Sequence, residues 1–123
     1  MIGWWIVIAA QTPEERDTGI GRREAVLANW ETGVGGNSWV QRLVDEGKAV
    51  QLLSGGYPNR YTAKANDVLP LIANGPPARN DPVVISDGHV MHVNRAREVI
   101  VHHDKIATCP LDKILTIEVW DLS

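Results

Sequence analysis

The run WWIVIAA, Trp4 to Ala10, constrains the fold more than any other part of this chain. Two aromatics followed by Ile, Val and Ile read as a β-strand, and successive strand side chains point to opposite faces. Trp4, Ile6 and Ile8 therefore share one face, and Trp5, Val7 and Ala9 share the other. Both sets are apolar, which predicts a central strand covered on both sides. The run is too short to span a bilayer, and no basic segment precedes it as in a secretory leader. A buried first strand is the reading that fits.

The residues that follow are punctuated for helices. In TPEE, Thr12 is a good N-cap, Pro13 suits the first helical position, and Glu15 completes a capping box. Gly19 and Gly21 should end that helix early. A second helix is expected from about Arg22 to Thr32, with Val26 and Trp30 four residues apart on one side and Gly33 ending it. NSWVQRLVDEG carries the clearest helical pattern. Trp39, Val40, Leu43 and Val44 form the apolar stripe, Asn37 or Ser38 caps it, and Gly47 stops it. Then AVQLLS and RYTAK read as two strands around the turn GGYPN. NDVLPLIANG reads as a short helix capped by Asn66, and everything beyond the loop PPARNDP reads as β.

Helices in the first two thirds and tightly joined strands predict an α+β fold. It is built on a mainly antiparallel sheet with helices packed on one face, and a ferredoxin-like core plus a C-terminal hairpin fits that order. At 123 residues the chain can bury one core, so residues 1–123 are expected to form a single globular domain. One cysteine allows no internal disulfide and suits the cytoplasm. The net charge of −3, with scattered basic residues, argues against the clustered positive face of a nucleic-acid binder.

All four histidines lie between residues 89 and 103. Asp87-Gly88 is a two-residue hairpin signal that would pair Ser86 with His89 and Ile85 with Val90. Alternation then sends His89 and His92 to opposite faces, and the adjacent His102 and His103 would also diverge on a strand. Their spacing resembles neither HExxH nor CxxC, so no metal and no cofactor is expected. No catalytic residue is assigned. Cys109, in ATCPLD, reads as a buried structural thiol. The glycines and arginines of TGIGRRE read as a loop entering a helix.

Recognition chemistry is better represented. Tyr57, Arg60 and Tyr61 surround a glycine-proline turn and are of the types that anchor protein interfaces, so all three are expected to be substantially exposed. Trp5 joins them, because the predicted helices can cover only one face of its strand. The other face would be closed by C-terminal strands curling over, by a second copy in a homodimer, or by a protein partner. The expectation is a small acidic cytoplasmic protein that binds and occludes a macromolecular partner, with no membrane role and no nucleic-acid ligand. Toxin-immunity proteins and phage inhibitors of host defence share this size and charge. The alternative is a small α+β enzyme or ligand-binding domain with a histidine base in a pocket between sheet and helices.

Overall fold

The computed structural model describes residues 3–33, 36–54, 58–73, 83–85, 89–91 and 97–121. The described elements are β1 (Trp4–Ala9), α1 (Pro13–Asp17), β2 (Val26–Thr32), α2 (Ser38–Asp45), β3 (Ala49–Leu53) and β4 (Asn59–Lys64). They continue with α3 (Ala65–Ile72), β5 (Val83–Ile85), β6 (His89–Met91), β7 (Arg97–Val101), α4 (His103–Thr108) and β8 (Ile114–Asp121). Six strands form one antiparallel sheet in the order β3-β4-β8-β1-β2-β7, and β5 pairs with β6 in a separate two-stranded ladder. The fold is α+β.

β1 is central, between β8 and β2. Its registers place Ile6 between Trp30 and Val119, and Ile8 between Ala28 and Ile117. The β4 register adds Tyr61 beside Ile117 and Ala63 beside Leu115. This face is the core. The α2 stripe of Trp39, Val40 and Leu43 and the α3 residues Val68, Leu69 and Ile72 bury against it. Trp30 and Trp39 meet with ring centroids 6.0 Å apart and planes tilted by 32°, an ordinary aromatic packing geometry.

Several expectations are corrected. Residues 26–32 form β2, not the end of a helix. The spacing of Val26 and Trp30 is a multiple of two as well as about one helical turn, so it does not separate the two periods. Pairing with β1 decides for the strand. Because β1 and β2 pair directly, no strand separates them as in a split β-α-β unit, and the arrangement is not ferredoxin-like. The last strand does not curl over the sheet but is inserted between β4 and β1. The α3 helix starts at Ala65 with no side-chain cap. Its first amides, of Ala65 and Asn66, donate to the carbonyls of Lys113 and Leu111 at 2.8 and 2.9 Å, which leaves Asn66 no capping task. The C-terminal third is not wholly β, because α4 follows β7.

Candidate functional site

Strand alternation turns a second set of residues to the face opposite the core. Val7 there is flanked by Glu118 on β8 and Asn29 on β2; Trp5 is flanked by Trp120 and Glu31. On β4, Arg60 stands opposite Glu118 and Thr62 opposite Thr116. Glu118 is only 1% exposed, and two guanidiniums hold it. Arg16 Nη2 donates to Oε1 at 2.8 Å, and Arg60 Nη2 donates to Oε2 at 2.9 Å.

The arginines reach Glu118 from different elements. Arg16 belongs to α1, whose N-terminus carries the predicted capping box. Glu15 N donates to Thr12 Oγ1 at 3.3 Å, and Thr12 N donates to Glu15 Oε1 at 2.9 Å. That start aims Arg16 at the sheet, where Arg16 Nη1 also donates to Gln11 Oε1 at 3.3 Å. Arg60 Nη1 pairs back to Asp17 Oδ1 at 3.0 Å. Burial would lower the Arg60 pKa, but its hydrogen bonds to and charge attraction by Glu118 and Asp17 outweigh that and raise it. The Nε–H groups of Arg16 and Arg60 have no acceptor among the described residues. A buried carboxylate matched by two permanent cations is suited to holding elements together.

The predicted recognition turn is divided by the same alternation. Tyr61 is 4% exposed, on the core face beside Ile117, and burial pushes its phenol pKa up. Arg60 points to the opposite face and is committed to Glu118 and Asp17. Neither is substantially exposed as expected. Adjacent strand residues face opposite ways, so Arg60 and Tyr61 could not both have stood on one surface. Tyr57 lies outside the described residues. Trp5 is half-buried on the second face.

The edge strand β3, which leads into that turn, carries a feature that residue-type reasoning missed. Val50 is 58% exposed, and Leu52 and Leu53 are each 47% exposed. Val50 pairs with Thr62 and Leu53 with Arg60, so both belong to the second face. A bulge between Gln51 and Leu53 places an extra residue in the strand at that point. The sequence does hold a signal. No charged residue occurs between Lys48 and Arg60, although exposed edges are commonly blunted by charge.

The other edge strand, β7, also exposes Val99 and Ile100. It opens with Arg97 and Glu98, and Glu98 has φ of 51°, a left-handed conformation in an irregular register. Such an edge is a poorer template for a further strand.

The histidines do not form the predicted arrangement. Ile85 pairs with His89 and Val84 with Val90, one residue away from the expected register. Ser86, Asp87, Gly88 and His92 lie outside the described residues. His102 and His103 are not on a strand: His102 precedes α4 and donates its backbone N–H to Leu27 O at 2.9 Å, and His103 begins the helix. Among the described residues, no group of three His, Cys, Asp or Glu side chains could hold a metal ion. Cys109 is half-buried at the end of α4, not fully buried. Burial pushes its thiol pKa up against the opposing charge of Lys113, which disfavours the nucleophilic thiolate. No described helix is long and apolar enough to cross a membrane.

No protein-family model, curated protein or solved structure matches this chain.

Proposed function

We propose that this chain is a protein-binding protein of the inhibitor type, which occludes a macromolecular partner by accepting an extended segment of it along the edge of β3. The observation that carries the reading is the exposure of Val50, Leu52 and Leu53 on an edge strand without charged residues. An edge of this kind offers backbone hydrogen bonds for affinity and side-chain contacts for specificity. The partner segment is apolar on the side that meets Val50, Leu52 and Leu53, and tolerates a polar residue beside Gln51.

Tyr57, outside the described residues, is kept as a proposed contact only by its place in the sequence after β3, whereas Tyr61 and Arg60 support the neighbouring strand from within. Trp5 stands farther across the same face, separated from β3 by β4 and β8. The low net charge and single cysteine fit action in the cytoplasm, alongside immunity proteins or phage-borne inhibitors of defence.

A photo-reactive residue at Leu52, introduced in the native host, tests the reading. It should form one dominant adduct with another protein. The purified pair should then lose at least about tenfold in affinity when Val50 and Leu52 are both replaced by Lys, with the far-UV spectrum and urea midpoint preserved. Undiminished binding by that variant overturns the edge assignment. An adduct formed only with a second copy of the chain replaces occlusion by self-association.

A further inference from the structure

The β1–β2 connection, residues 10–25, crosses the second face, and α1 is its central element. α1 has five residues, and its only buried one is Arg16. Its remaining side chains are Pro13, Glu14, Glu15 and Asp17. Ile20, in the same connection, is 78% exposed, so it is not an apolar anchor.

The helix is held to the rest of the molecule by charge. Arg16 pairs with Glu118 at 2.8 Å, Asp17 with Arg60 at 3.0 Å, and Glu15 with Lys113 at 3.5 Å. These contacts reach β8, β4 and the segment before β8. Thr116 Oγ1 on β8 adds a hydrogen bond to Gln11 O at 2.6 Å, and Gln11 Nε2 donates to Ile20 O at 2.9 Å within the connection itself. Ala10, at the base of the connection, packs against the core cluster, and Lys105 Nζ on α4 donates to the Glu24 carbonyl near its other end at 2.8 Å. Between these two anchors strand alternation keeps the ion pairs apart from the core.

From this division we infer that residues 11–23, between those two anchors, form a charge-latched flap, which lifts from the sheet as a unit while the helix-covered core stays folded. The apolar core sets the stability of the sheet, and the ion pairs set the stability of flap docking. Local opening of such a unit proceeds at a lower free energy than global unfolding. Lifting the flap uncovers the Glu118 carboxylate, the Arg60 guanidinium and Thr116, a polar surface that the closed state hides. The inference does not depend on the β3 edge.

Thiol labelling of the full chain tests it, in a Cys109→Ser background. Thr116→Cys places a reporter beneath the flap in a background that lacks the Gln11 hydrogen bond throughout, so that its responses read the ion pairs alone. Ala63→Cys places one in the core beneath the helices; both parent positions are buried. Position 116 should label at least about tenfold faster than position 63 in native buffer, since local opening exceeds global opening. Adding Asp17→Asn, an exposed change, should accelerate position 116 by a further threefold or more, and so should about 1 M NaCl. Position 63 should accelerate by no more than the same factor, because global opening starts from the same closed state, and should remain at least about tenfold slower than position 116.

Equal labelling at the two positions means that the flap opens only when the whole chain unfolds, which overturns the inference. A rate at position 116 that responds to neither Asp17→Asn nor salt overturns the latch. Labelling of Ser38→Cys, an exposed position at the start of α2, confirms that the reagent and background behave alike.

Discussion

On the helix-covered face of the sheet, Ile6, Ile8, Trp30, Ile117 and Val119 pack against α2 and α3 without a charged group among them. On the opposite face, one residue along the same central strands, Glu118 is buried just as deeply between Arg16 and Arg60. The covered face is stabilised by removing apolar surface from water, which is non-directional and tolerant of small adjustments. The second face depends on a few directional contacts whose desolvation cost is recovered only while every partner is present. Equal burial on the two faces therefore has different consequences. A cavity in the core loses part of a sum, whereas loss of one partner on the second face leaves a buried charge uncompensated.

The largest expected effect breaks that contrast at its most exacting point. Glu118→Ala should cost about 3–5 kcal/mol, because it strands the Arg16 guanidinium in a buried site. Replacing Arg16 and Glu118 together, Arg16→Met with Glu118→Leu, should be less destabilising than the single change, since the more deeply buried guanidinium goes with the carboxylate while Arg60 keeps Asp17. Urea unfolding of the three proteins checks this. If the double variant were the least stable, the pair would contribute more than it costs and the contrast between the faces would fail.

Leu43→Ala tests the other side. It truncates the α2 stripe against the core and should cost about 2–5 kcal/mol, according to how far the site collapses. Its effect should add to that of Glu118→Ala within about 0.5 kcal/mol, because the two residues lie on opposite faces and share no partner in the core or the ion-pair network. A larger coupling would show that the faces are energetically joined through β8.

The difference between the faces also governs how much the sequence revealed. The core was legible where a pattern repeats: WWIVIA as a central strand, Trp39, Val40 and Leu43 as one stripe, and Thr12 with Glu15 as a cap. β2 was misread because its spacing satisfies two periods, and long-range pairing with β1 chose between them. The strand order was not legible, since inserting β8 between β4 and β1 depends on contacts far apart in sequence. The ion-pair network was hidden for the same reason: Arg16, Arg60 and Glu118 become neighbours only through that insertion. The recognition turn failed on strand parity, and the exposed edge at Val50 to Leu53 escaped notice because apolar residues on a strand are read first as core.

A smaller effect is expected at the start of the flap. Thr12→Ala removes the side-chain acceptor of the Glu15 amide and should cost about 1 kcal/mol. The loss should appear in full as faster labelling at position 116, roughly fivefold by the usual relation of energy to population, while the core reporter accelerates by at most that factor and stays slower. If the two reporters label at one common rate, α1 is part of the global folding unit and the two faces are less separable than their chemistry suggests.

The smallest effect is electrostatic and local. The Glu15 carboxyl is held below its ordinary 4.5, first by the hydrogen bond from the Thr12 backbone amide and then by the Lys113 charge. A lowered folded-state value means that the ionised form is favoured by folding. Its contribution is therefore present above about pH 4.5 and is lost as the pH falls through the lower folded value. The Thr12 amide donates directly to this carboxylate, so its proton chemical shift reports the titration. The midpoint should lie below 4.5, and Lys113→Gln should raise it only in part, because the backbone hydrogen bond is the larger cause. Glu15→Gln should leave the Thr12 shift flat across the acid range. A Thr12 midpoint at or above 4.5 would mean that the capping box is not closed in solution, and that the latch begins at Arg16 instead of at the helix start.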